Sequence, residues 1–209
     1  MTLTAIPASG YRFSSWSIDA SGTSDTVRVT MNSNKIVIPK FIQVPVKTYS
    51  LWDSASVPGT VAVSETSPIE IGLKFNSHVA GYVSGVRFYK SKWNTGIHRG
   101  HLWSVQGRLL GSVTFTKETS QGWQQAMFST AIPVVANRTY IVSYNAPHGR
   151  YTDDEGYFAQ KSVANTPLYA LRNNSVSPNG VYAYGSGGFP NKGQKASNYW
   201  VDLVFTASK

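Results

Sequence analysis

The chain has 209 residues and a formal net charge of +9, with 41% hydrophobic, 13% aromatic and only 14% charged residues. An average domain carries roughly 25% charged residues; the shortfall, with 18 Gly and 10 Pro, points to short strands joined by turns and argues against coiled coils and helical bundles. The absence of Cys excludes disulfides, cysteine-ligated zinc and thiol catalysis, and no apolar run approaches the length of about 18 residues that a membrane helix needs.

Met1–Pro7 has no basic stretch followed by an apolar one, so no signal peptide is visible, and it opens in strand-like sequence. The expectation is a piece of a longer chain. Strands are predicted over Thr2–Ile6, Tyr11–Ile18, Thr26–Met31 and Lys35–Phe41, separated by the turn signals Pro7–Gly10, Ser21–Thr23 and Asn32–Asn34. Such a segment is too small to fold comfortably alone and leans on a neighbour or a preceding repeat. Its Pro7-Ala8-Ser9-Gly10-Tyr11, Phe13, Trp16, Gly22, Val29-Thr30-Met31, Asn34-Lys35 and Phe41 resemble the internalin-type B-repeat family of bacterial surface proteins. That resemblance implies an extracellular spacer without an active site.

Hydrophobic periodicity restarts after Val44–Lys47, where Pro45 favours extended backbone before it. The predicted organisation is therefore a repeat over 1–43, a linker over 44–47 and a larger domain over 48–209. Within that domain, alternation or β-branched and aromatic content predicts strands over Ile69–Phe75, Tyr82–Lys90, Gly100–Trp103, Arg108–Phe115, Trp123–Ser129, Thr139–Asn145 and Tyr199–Phe205. Regularly spaced short strands point to an all-β antiparallel β-sandwich or jelly roll. If successive strands run antiparallel, successive loops alternate between its two ends. One end then receives 91–99, 117–122 and the long stretch 146–198, and loops this long and rich in binding side chains are functional candidates.

The matching stretches Ile71–Phe75, Gly85–Lys90, Asn94-Thr95-Gly96 with His98, Leu102–Ser104, Gly122–Gln124, Ser143–Pro147, Gly156–Phe158, Asn179–Tyr182 and Asn198–Asp202 are similar to a domain-of-unknown-function family. Its members are appended to secreted bacterial glycoside hydrolases and surface proteins. The resemblance implies a secreted or cell-surface β-sandwich that binds glycans. One departure stands out: Ser91-Lys92-Trp93 replaces a stretch that is usually small and Gly-rich.

Sugars are held by an aromatic face stacked on C–H groups and by polar side chains that read hydroxyls. Loop parity and the resemblance together select Trp93, Tyr151 and Tyr157 for stacking, and Asn94, His98, Asn145, His148 and Asp153 as polar partners. For Trp93, packing over the sandwich edge is an equal alternative. Trp103, Trp123 and Trp200, with Tyr82, Phe88, Phe115, Phe128, Tyr140 and Phe205, fall in strand patterns and are expected in the core. The adjacent Asp153 and Asp154 are candidate ligands for a structural calcium, against a favoured reading in which they bond loop amides. His98 and His101 diverge on a strand and do not predict zinc.

No G-x-S-x-G, H-E-x-x-H or P-loop motif occurs, and the four Glu sit in no obvious pair, so catalysis is not expected. The cations are dispersed without a nucleic-acid motif; nucleic acid and membrane insertion are not expected. Lys90, Lys92, Arg99 and Arg150 gathering at the loop-rich end would favour an acidic glycan over a neutral one. The expected function is a non-catalytic carbohydrate-binding module of a larger protein. The alternative is a structural or adhesive spacer contacting neighbouring domains, a protein or the cell wall.

Overall fold

The computed structural model describes residues 1–174 and 177–208. Contacts divide the chain into two units, Met1–Val46 and Lys47–Lys209. In the first, β1 (Thr2–Thr4) pairs with β3 (Thr26–Arg28) and β2 (Tyr11–Ile18) pairs with β4 (Val37–Gln43), both antiparallel. The alternation along β2 turns Trp16 inward, where its indole N–H donates to the Ser24 carbonyl at 2.8 Å. Phe13 packs on Trp16 and Phe41 at ring-centroid distances of 5.1 and 6.1 Å. This small aromatic cluster is about what so short a segment can bury.

The second unit is an antiparallel β-sandwich, and among the described residues it contains no helix. Its main strands are β6 (Ile69–Ser77), β7 (Gly81–Lys90), β8 (Arg99–Ser104), β9 (Leu109–Thr114), β10 (Gly122–Val134), β11 (Tyr140–Ala146) and β15 (Val201–Ala207). Each overlaps a strand predicted from the alternation. Four more, β5 (Thr48–Tyr49), β12 (Val163–Asn165), β13 (Leu168–Ala170) and β14 (Gly180–Tyr184), are short and lie outside the strands predicted from the alternation. One sheet has the order β10-β7-β15-β5, and the other β12-β13-β6-β11-β8-β9. β14 shares the free edge of β6 with β13, pairing with Ile69–Leu73 while β13 pairs with Asn76 and Ser77.

Inward residues at every second position build the core between the sheets: Ile69, Ile71, Leu73 and Phe75 of β6 meet Val86, Phe88, Leu203 and Phe205 of the facing sheet. Each such side chain contributes about 1.5–3 kcal/mol by leaving water. Phe88 stacks on Tyr144 across the layer, with centroids 4.0 Å apart and planes at 17°. Phe115, Tyr140 and Trp200 are buried as expected, and Phe128 and Trp123 pack against the core. Trp103 is buried too, in a small cluster with Ile141 and Val181. Tyr82 departs from expectation and is exposed, because the pleat that turns Val83 inward turns its neighbour out.

A buried ion pair ties β7 to β15. Arg87 Nη1 donates to Asp202 Oδ2 at 3.2 Å, and the same carboxylate accepts from the amides of Leu51, Trp52 and Leu203. The pairings also fix which loops share an end. Along the chain β6 to β11 and then β15 alternate in direction, so 78–80, 105–108 and 135–139 lie at one end. The connections 91–98, 115–121 and 147–200 lie at the other.

Candidate functional site

The loop-rich end holds a cleft of about 230 Å³, walled by Tyr151, Tyr182, Tyr184 and Tyr199, with Glu65, Asp153, Glu155 and Lys195 among its polar lining. Its construction begins with the segment before β6. The Val63 amide donates to the Tyr151 carbonyl at 2.9 Å and the Arg150 amide to the Glu65 carbonyl at 2.7 Å, which brings Glu65 to the rim. That close approach needs Gly149, which sits at φ 61 and whose hypothetical Cβ would overlap the Glu65 carbonyl.

Asp154 joins three pieces of chain. Its carboxylate accepts from the amides of Gly59 and Thr60 at 2.9 and 2.6 Å and from the Trp200 indole at 2.9 Å. Its backbone exchanges two hydrogen bonds of 3.0 Å with Asn198. Opposite, Lys195 and Ala196 both adopt left-handed backbone, at φ 50 and 51, a conformation that costs non-glycine residues energy and clusters at functional sites. The carbonyls of that pair accept from the Gly156 and Phe158 amides, holding the cleft's floor against its wall.

β14 supplies the remaining aromatic wall. Its pleat places Tyr182 and Tyr184 on the same face, edge to face with centroids 5.7 Å apart; Tyr151 and Tyr199 form a second such pair at 5.8 Å. The Tyr184 hydroxyl donates to Glu65 Oε2 at 3.1 Å. Two carboxyl groups in this cleft are displaced in opposite directions from the ordinary carboxylate range. Ser67 and Thr66 hydrogen bonds, with Tyr184, hold Glu65 down at about 2. Burial pushes Asp153 up to about 6, helped by Glu155 and Asp154 and opposed by the Ser197 hydroxyl and Lys195. Asp153 Oδ1 is buried and has no hydrogen-bond partner. Burial, with Asp153 nearby, also raises the phenols of Tyr151 and Tyr199, which remain neutral donors. Lys195 is engaged by Glu155 at 2.7 Å.

The residues singled out from the sequence separate into three groups. Tyr151 and Asp153 line the cleft, and Asn145 lies under its edge, donating to the carbonyls of Ile69 and Gly185. Trp93 and His148 are exposed outside the cleft lining, Trp93 at 60% with Lys92 Nζ over its ring at 4.7 Å and His148 beside the Thr95 hydroxyl at 3.2 Å. Asn94 and His98 are interior, and Tyr157 is partly buried with Lys161 Nζ over its ring at 4.6 Å. His98 is 0% exposed, with Nε2 on Asn94 Oδ1 at 2.8 Å and Nδ1 on Glu118 at 2.8 Å. Asn94 donates on to the Tyr144 hydroxyl at 3.0 Å, and Lys90 closes the network on Glu118 at 2.6 Å. Tyr157 is wedged edge-on against Trp52, Phe158 and Trp200 and accepts from the Trp52 indole. Asn94 and His98 look polar and loop-borne in the sequence, but their hydrogen-bonding capacity is spent inside the protein.

At Asp154 the reading favoured from the sequence, a carboxylate bonded to loop amides, is what the structure holds. Both Asp154 oxygens are taken by N–H donors, and among the described residues no group of three or more His, Asp or Glu is arranged to hold a metal. His98 and His101 engage different carboxylates, Glu118 and Glu70. On the outer face of the second sheet, Ser143, His101 and Glu70 have the composition of a catalytic triad without its wiring. Ser143 and His101 both bond Glu70 Oε1 and the Trp103 indole donates to Ser143, so the serine proton points at the carboxylate and not at a histidine nitrogen. The sequence places Tyr182 and Tyr184 at the loop-rich end, but it neither selects them as contacts nor joins them to Glu65 and Tyr199. The tyrosine pair in Tyr182-Ala183-Tyr184, spaced for one face of a strand, was the available signal.

Residues 55–201 match the family model described as Domain of unknown function (DUF4082), and residues 1–45 match the Divergent InlB B-repeat domain. B-repeat domains of this type occur in bacterial surface and secreted proteins. No curated protein matches the chain.

Proposed function

We propose that this chain, which belongs to the DUF4082 family, is a non-catalytic glycan-binding module of a bacterial surface or secreted protein. The observation that carries the reading is the tyrosine-walled cleft with an unpartnered buried carboxylate oxygen. Aromatic rings at right angles cover the C–H faces of one sugar unit, and Asp153, Glu65 and the tyrosine hydroxyls read its hydroxyl groups. The cleft is small, so recognition centres on one ring of a polysaccharide and not on a long segment. The B-repeat unit supports an extracellular setting, in which it spaces the sandwich from the rest of the protein. Affinity electrophoresis through immobilised polysaccharides tests the proposal. Retardation by at least one glycan that Tyr151→Ala or Tyr184→Ala removes is expected; unchanged retardation in both variants refutes the site.

One observation favours a second reading, hydrolysis. Asp153 and Glu65 line one cleft with their carboxyl groups displaced in opposite directions, the division of labour between general acid and charged partner in glycoside cleavage. Release of reducing ends from a bound glycan, abolished by Asp153→Asn, would establish it. Binding without release over a day excludes it for that glycan.

A further inference from the structure

We propose that the cleft selects a protonated amine, and that its ligand within a glycan is an amino sugar whose nitrogen is not acetylated. The inference rests on the glycan-binding reading above and narrows it. Its first support is local charge. The protein as a whole carries +9, yet among the described residues the cleft lining has three carboxyl groups, Glu65, Asp153 and Glu155, against the single cation Lys195. Lys195 is already neutralised by Glu155 at 2.7 Å. The cleft therefore presents the opposite sign to the molecule, and in a half-enclosed site the near charges outweigh the distant, solvent-screened ones.

The second support is geometry. Tyr151, Tyr182, Tyr184 and Tyr199 form two edge-to-face pairs around the same space. Tyrosine faces attract a cation within about 6 Å, and an ammonium surrounded by several rings keeps favourable contacts as it sheds water. The third is the unpaired acceptor. Asp153 Oδ1 is buried without a donor, and a buried acceptor that lacks a partner costs about 1–3 kcal/mol. Asp153 lines the cleft, and an ammonium there supplies three N–H donors and a full positive charge to its carboxylate, whereas a neutral hydroxyl supplies one donor and no charge. A uronate would bring a like charge to Asp153 and Glu65, so the acidic ligand suggested by net charge is the one this cleft disfavours.

The titration behaviour agrees with this assignment. Asp153 faces Glu155, Asp154 and Lys195 as well as the phenols of Tyr151 and Tyr199, and its carboxyl is held at about 6. Glu65 stays ionised throughout that range. Amine affinity should thus rise with pH as Asp153 loses its proton and fall again as the amine loses its own.

The test is isothermal titration of the 209-residue chain with three size-matched oligosaccharides: oligoglucosamine, its fully N-acetylated counterpart, and oligogalacturonate, each from pH 5 to 8. Oligoglucosamine should bind roughly tenfold or more tighter than either of the others, about the effect of one charge-assisted contact. Its pH profile should be bell-shaped, and the preference should collapse in Asp153→Asn. Tyr184→Ala, at a residue 56% exposed and so harmless to folding, should weaken it independently. Equal or tighter binding of the acetylated or uronate oligomer overturns the amine assignment while leaving glycan binding standing. Failure of all three to bind overturns both.

Discussion

The Tyr184 hydroxyl donates to Glu65 Oε2 at 3.1 Å and so joins two residues 119 positions apart at the mouth of one cleft. Neither residue lies in the main strands of the sandwich. Tyr184 is exposed, so its ring covers little core. Tyr184→Ala should therefore change unfolding free energy by less than about 1 kcal/mol. Loss of a stacking face should weaken retention on a bound glycan about tenfold. Thermal melts and affinity gels on the same preparation separate the two effects.

Asp202 behaves in the opposite way. It has no surface exposure and answers Arg87 and three backbone amides. Asp202→Ala strands a buried guanidinium and orphans those amides, and should cost about 3–5 kcal/mol. Urea denaturation should show a lower midpoint with an unchanged slope. A loss under about 1 kcal/mol would mean the pair contributes little net stability.

For Asp153 the sign of the pH dependence follows from the direction of its shift. Its carboxyl is raised from 3.8 to about 6 by burial. The folded state therefore holds this proton more tightly than the unfolded chain. The stability it confers is fully present below about pH 4 and is lost as pH rises through about 6. Asp153→Asn removes the ionisation. Its stability relative to wild type should rise between pH 4 and pH 7, by about 1–2 kcal/mol after solvent screening. Paired melts at the two pH values measure this, and a difference of the other sign would contradict the burial argument.

Asn94 and His98 should prove structural. Both are fully buried and joined to Glu118 and Tyr144. His98→Ala leaves the Asn94 oxygen and one Glu118 bond unmet and should cost about 1–3 kcal/mol. Glycan retention should be unchanged at temperatures where the variant stays folded. Selective loss of binding with full stability would return His98 to the list of ligand contacts.

Chelation should leave the melting temperature unchanged, because the Asp154 carboxylate is committed to Gly59, Thr60 and Trp200. Asp154→Ala, by contrast, unfastens three chain segments at once. It should destabilise by about 1–2 kcal/mol, because the Gly59 and Thr60 amides can turn to water and only the Trp200 indole is left part-buried without an acceptor. Differential scanning calorimetry with and without a chelator checks both statements.

The main strands were legible because burial on one face of a sheet leaves a period of two. Ile69, Ile71, Leu73 and Phe75 show it directly, and the match to two families in order came from stretches such as Gly85–Lys90. Antiparallel alternation then sent the long connections to one end, and that end holds the cleft. What local pattern lacks is the other side of each hydrogen bond. Trp93-Asn94 reads as a binding pair, yet Asn94 turns in to His98 and Tyr144 while Trp93 stays out. Asp153 and Asp154 read as twins, yet one carboxylate is filled by amides and the other keeps a free buried oxygen.

The amino-acid sequence by itself determined that this protein is all-β, in two units, with its polar aromatic loops gathered at one end. The physical cause is short-range: alternation, turn residues and strand parity are properties of neighbours in the chain. Only the tertiary structure decided which tyrosines face a common space, that Glu65 joins them, and that a +9 protein has a cleft of negative sign. Those facts depend on groups far apart in sequence becoming close in space, where burial and charge act over a few ångströms and ignore chain order.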